Sequence, residues 1–79
     1  MHVLVKLLGT LSSCYTGHYP AAGLEVEITA GSTVADLVER IAIPRERLAI
    51  VTINGLLAKA DDRVPENAVV KFMQPVTGG

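Results

Sequence analysis

The sequence predicts an α+β domain with a single helix lying across one face of a β-sheet. Three patterns carry that expectation. Residues 24–29 alternate apolar and polar without a fault, as a half-buried strand does. Val34, Leu37, Val38 and Ile41 recur at i, i+3, i+4 and i+7, one face of an amphipathic helix. Asn54-Gly55 stands between two short apolar runs, the strongest two-residue hairpin signal, because both turn positions need positive φ. One helix has one apolar stripe, and a sheet must cover it.

The remaining elements follow in chain order. Val3, Val5 and Leu7 alternate with Leu4 and Lys6 as a first strand. Leu4 and Leu8 make its second face partly apolar, as a central strand requires. Residues 9–23 hold Gly9, Ser12, Ser13, Gly17, Pro20 and Gly23 and are expected to form a long loop. Thr33 followed by Asp36 has the spacing of a capping box, with Asp in place of the usual Glu. Pro44 should end the helix by disfavouring helical backbone at Ile43. Residues 50–53 form a third strand with Val51 and Ile53 inward, and residues 56–58 a short return strand. Residues 59–67 are charged, contain Pro65 and read as a surface connection. Residues 68–73 form the last strand, with Val70 and Phe72 as core contributors.

Length and composition exclude several classes of function. At 79 residues the chain is one domain with a small core. Seven basic residues nearly balance eight acidic ones, which argues against a nucleic-acid role. Arg40, Arg45 and Arg47 cluster, but Glu39 and Glu46 sit among them. The group reads as a solvated helix end, with a docking patch for an acidic partner as the alternative. Residues 3–8 are too short for a signal core or a membrane span. A cytoplasmic location is the expectation. Cys14 is the single cysteine, so no internal disulfide can form. Cys14 and His18 are two ligands where a structural zinc site wants four, and no metal is expected. Tyr15 and Tyr19 are expected to pack over the sheet edge or to help dock a partner. Asp61 and Asp62 read as solubilising residues on an exposed connection.

The chemistry is expected at the C-terminus. Pro75 cannot donate a ladder hydrogen bond, so the sheet should stop near it. The domain is therefore read as residues 1–73, followed by a flexible tail of residues 74–79: Gln74, Pro75, Val76, Thr77, Gly78 and Gly79. Two terminal glycines have the least bulk, and such a tail suits entry into a narrow pocket. A glycine carboxylate is ionised at neutral pH and a poor electrophile until activated, for example as an acyl-adenylate. The chain has no G-x-x-x-x-G-K-[ST] loop and no evident nucleophile, base and orienter. A carrier acted on by other enzymes fits better than an enzyme. The chain begins at Met1 and shows no tag, so Gly79 is taken as its natural end.

The Gly31-Ser32-Thr33-Val34-Ala35-Asp36-Leu37 segment, the Ile53-Asn54-Gly55 turn and the ending from Phe72 to Gly79 resemble the MoaD/ThiS family of sulfur carriers. The Pro-Val-Thr-Gly-Gly ending is most similar to the small subunit of molybdopterin synthase. The resemblance implies a β-grasp, or ubiquitin-like, fold with a mixed sheet of four to five strands. It implies that an E1-like enzyme adenylates Gly79 with ATP, and that sulfur from a persulfide donor replaces AMP to leave a thiocarboxylate. No cofactor is bound by the carrier itself. The sulfur would go to a pterin precursor in a larger synthase subunit, making molybdopterin, or to thiazole synthase in the thiamine pathway. A ubiquitin-like protein modifier is a further alternative. Residues 74–78 would enter the partner's active site, and Leu4, Ile50, Phe72 and Met73 would meet the partner's surface. The turn Pro65-Glu66-Asn67 and the loop 9–23 depart from the family pattern.

Overall fold

A computed structural model describes residues 1–74. The strands are β1 (His2–Leu7), β2 (Leu24–Glu27), β3 (Ile50–Ile53), β4 (Leu56–Ala58) and β5 (Val69–Met73), and the helix is α1 (Val34–Ile41). They form one five-stranded sheet in the order β2-β1-β5-β3-β4. The pair β1–β5 is parallel and the other pairs are antiparallel. The sheet is mixed, and its two innermost chain-end strands lie side by side. This is the β-grasp arrangement expected from the sequence.

Alternation decides which side of each strand is buried. Val3, Val5 and Leu7 of β1 share the inner face with Leu24 and Val26 of β2 and with Val70 and Phe72 of β5. Val34, Leu37, Val38 and Ile41 of α1 close over them, and Leu37 is wholly buried. Val51 and Ile53 lie opposite Phe72 and Val70, so they share this inner face, but they are only half-buried.

The start of α1 is fully accounted for in hydrogen bonds. An isolated helix leaves its first N–H groups without partners. Here Thr33 N–H donates to Asp36 Oδ2 at 3.0 Å, and Asp36 N–H donates to Thr33 Oγ1 at 3.3 Å. The Asp-containing box therefore closes in both directions. Val34 N–H donates to the Asp62 carbonyl at 3.0 Å and Ala35 N–H to the Ala60 carbonyl at 2.9 Å. The charged connection after β4 thus caps the helix as well as linking strands. Asp62 also accepts from the Lys59 N–H at 2.7 Å, so it is a structural residue and not merely a solubilising one.

Two local expectations are corrected. Residues 9–23 are not loop throughout: Gly9–Cys14 is a 3-10 helix, and its Leu11 is buried in the core. One apolar residue among small polar ones is too sparse a signal for a helical period. The helix also ends before Pro44 can act on it. Ala42 adopts the left-handed conformation, φ 58°, and donates its N–H to the Val38 and Glu39 carbonyls. The reversal at Ala42 lets Ile43 turn back into the core, where it is buried. The Asn54-Gly55 turn is as expected, with φ of 51° and 86°.

An alanine in the left-handed region carries a Cβ penalty that glycine lacks, roughly 1–2 kcal/mol before the glycine's own entropy cost. Ala42→Gly is therefore expected to raise stability by about 0.5 kcal/mol, as for glycine at helix C-termini. A urea unfolding midpoint that falls in the variant contradicts this.

Candidate functional site

The parallel pairing of β1 with β5 decides where the C-terminus leaves the fold. Both strands end at the same rim of the sheet: Leu7 lies opposite Phe72, and Leu8 N–H donates to the Phe72 carbonyl at 3.0 Å. Strand β3 runs antiparallel to β5, so its first residue, Ile50, lies opposite Met73 at this rim. Ala49 N–H donates to the Met73 carbonyl at 2.9 Å. The end of β5 is thus clamped between the segment after β1 and the segment before β3.

Gln74 is the last described residue and is itself tied down. Its Oε1 accepts a hydrogen bond from Thr10 Oγ1 in the 3-10 helix. A side chain on Gly9 would press on this amide, since a Cβ there would lie 3.1 Å from Gln74 Nε2. Gln74 was expected to begin a free tail; it is instead an anchor, because the helical turn after β1 brings Thr10 to it. Pro75, Val76, Thr77, Gly78 and Gly79 lie outside the described residues.

The four expected partner-facing residues do not form one group. Ile50 and Met73 are cross-strand neighbours on the outer face, and Ile50 is 42% exposed. Leu8, 37% exposed, follows at the end of β1 on the same rim. Leu4 is on the outer face too, but it lies opposite Val69 and Glu25. A row containing Lys6, Lys71 and Thr52 separates it from Ile50 and Met73. Phe72 is corrected: it is 1% exposed and points to the helix side, so it is core and offers no surface. Strand alternation forbids Phe72 and Met73 from sharing a face. Leu8 is the residue that sequence reasoning missed at the rim, and its position just past an alternating strand was the available signal.

Other candidates resolve into structural roles. Tyr19 Oη accepts the Leu7 N–H at 2.8 Å, and Tyr15 and Tyr19 both pack against the core. β2 begins opposite Val5, so the tyrosine serves the part of β1 that β2 does not reach. Cys14 is half-buried against the core. Among the described residues no group of three or more His, Cys, Asp or Glu could hold a metal ion, and no helix is long and apolar enough to cross a membrane. Arg40 lies in the last turn of α1, whereas Arg45 and Arg47 belong to the separate 3-10 turn Arg45–Arg47.

The Glu27 carboxyl lies below its ordinary range, chiefly through its hydrogen bond with the His2 ring and then through the N-terminal ammonium. Glu27 is fully exposed, so its contribution is small and screened by salt. Its lowered pKa contributes stability above the ordinary carboxylate range, lost as pH falls through the lowered value. Glu27→Gln is expected to destabilise slightly at about pH 6 and not at about pH 2. A difference from the parent that persists unchanged in urea unfolding at both pH values would contradict this.

Comparison with known proteins agrees with the fold. A sequence model of the ThiS family matches residues 5–79, and the chain belongs to that family. No curated protein matches it in sequence. The structure is similar to a crystal structure of SAMP1 from Haloferax volcanii, with a TM-score of 0.75, 19% identity and full coverage of both chains. A second structure, of the H. volcanii small archaeal modifier protein 1, aligns with a TM-score of 0.74 at 15% identity, covering 95% of this chain and 98% of the other. A Pyrococcus furiosus protein described as molybdopterin converting factor, subunit 1, aligns with a TM-score of 0.74 at 21% identity and the same coverage. At these identities the likeness establishes a shared ubiquitin-like β-grasp fold.

Proposed function

We propose that this chain is a sulfur carrier whose reacting group is the carboxyl of Gly79. The observation that carries the reading is the family match running through to Gly79, with an anchor at Gln74, the last described residue. Five residues follow that anchor in sequence, a reach of at most about 18 Å at roughly 3.3–3.6 Å per residue. That span suits a carboxyl delivered into a partner's active site while the folded domain docks outside.

The chemistry belongs to the partners. An E1-like enzyme would let the Gly79 carboxylate attack the α-phosphorus of ATP, with pyrophosphate leaving. The terminal sulfur of a persulfide would then attack the acyl carbon and displace AMP. A thiol would split the acyl disulfide, leaving a thiocarboxylate on Gly79. Sulfur transfer to a pterin precursor in a molybdopterin synthase-like large subunit is the destination favoured by the Pro-Val-Thr-Gly-Gly ending, and by the converting-factor description of the P. furiosus structure. Thiazole synthesis is the destination that the family name suggests. A second reading, a modifier joined to lysines of other proteins, draws on the modifier protein among the structural neighbours. It shares the adenylate and differs in the attacking nucleophile.

Intact-mass measurement of the chain with ATP, an E1-like enzyme and a sulfur donor should show a gain of about 16 Da on the C-terminal peptide, sulfur replacing oxygen on a free terminal carboxylate. Deleting Gly79 should abolish the gain and leave thermal stability unchanged. No gain, with Gly79 found linked to lysine in extracts, supports the modifier reading instead. Ile50→Asp tests the rim: a charge beside Met73 should slow adenylation by about tenfold or more, by desolvating an unpaired carboxylate at the interface. Adenylation at the parent rate would remove the rim from the docking surface.

A further inference from the structure

The inner face of the sheet is not fully roofed by α1. Beyond the helix, the half-buried Val51 and Ala58 are left beside a groove of about 420 Å³ between α1 and the β3–β4 edge. Val38 forms its helix wall, Leu48 lies before β3, and the buried Phe72 contributes to its base. Its open side is bordered by the outermost strand, β4, whose Leu56 is 74% exposed.

The charges around this groove are one-sided. Arg45 and Lys59 line it, and no carboxylate does. Among the described residues neither cation forms an ion pair. Asp62 accepts from the Lys59 N–H but does not line the groove. An apolar trough with two cations matches an extended chain that carries a bulky apolar side chain among acidic residues. The groove also lines up with the rim. Ala49, which lines it, donates its N–H to Met73 at the exit of β5. A protein that receives the C-terminus can therefore reach the groove without releasing the rim.

We propose that this groove docks an acidic, apolar-anchored segment of a partner protein, as a second contact beside the C-terminal rim. The inference stands apart from the tail chemistry. It needs no thiocarboxylate and no conjugate, and it uses chiefly the inner face, with Ile50 at the border between groove and rim. The segment's apolar side chain fills the space over Val51 and Ala58, and its carboxylates meet Arg45 and Lys59.

The test is NMR titration of the 79-residue chain with a capped pentapeptide, one phenylalanine between two pairs of aspartates. A control peptide carries lysines in place of the aspartates. Saturable shifts at Val38, Leu48, Val51 and Ala58 are expected with the acidic peptide and not with the basic one. Reversing both exposed groove charges (Arg45→Glu with Lys59→Glu) should weaken binding by about tenfold, and retained amide dispersion shows that the variant is folded. Equal binding of both peptides, shifts confined to Leu8 and Met73, or no binding overturns the proposal. Truncation after Gln74 tests the remaining occupant. If groove amides shift on truncation and the peptide then binds more tightly, the chain's own C-terminal segment occupies the groove, and the partner assignment fails.

Discussion

The parallel pairing of β1 with β5 is the constraint from which the rest of the molecule follows. It puts the first and last strands side by side at the centre of the sheet and makes them end at one rim. A parallel pair cannot be joined by a tight turn, so the intervening chain must cross over, and α1 with the β3–β4 hairpin does so. Because β3 then runs against β5, its start returns to the rim where β5 ends. Leu8, Thr10, Ala49 and Ile50 are remote in sequence from the C-terminus, yet this one pairing gathers them around it. Loss of the pairing would scatter the rim and divide the core together, since Val5, Leu7, Val70 and Phe72 all belong to it.

The same topology separates stability from recognition by strand alternation. Side chains one residue apart in β5 have opposite fates: Phe72 is locked into the core and Met73 faces outward beside Ile50. Replacing Met73 or Ile50 changes a surface, whereas truncating Phe72 would open a cavity. The C-terminal end of the domain can thus vary its contacts without touching its core. The connection after β4 shows another economy of a small domain. Its backbone carbonyls at Ala60 and Asp62 cap α1, so a segment that looks like a polar linker holds the helix to the sheet.

Much of this was legible in the residues. The alternation of 24–29, the helical stripe of Val34, Leu37, Val38 and Ile41, the Thr33–Asp36 box and the Asn54-Gly55 turn each specify local backbone with little help. Each depends on neighbours a few positions away, where periodicity and side chain-to-backbone bonds are visible in the chain. Other features were hidden for an equally physical reason. Leu11 becomes core and Gln74 becomes an anchor because the turn after β1 meets the end of β5, contacts that span most of the chain. Ala42 takes a left-handed conformation that its type does not favour, because Ile43 must turn into the core.

By itself the sequence determined the class of domain, its helix and strands and the family, and it is the basis on which the proposed chemistry is assigned to the C-terminal Gly-Gly. Those rest on local patterns and on the order of residues, which need no folding to be seen. Only the tertiary structure decided that Ile50, Met73 and Leu8 share a rim, that Leu4 stands apart from them, and that Phe72 is removed from the surface. It also decided that one helix leaves Val51 and Ala58 under an open groove bordered by Arg45 and Lys59. Which residues share a surface is set by strand order, register and the area one helix can cover. These are properties of the packed sheet, and no short stretch of the chain carries them.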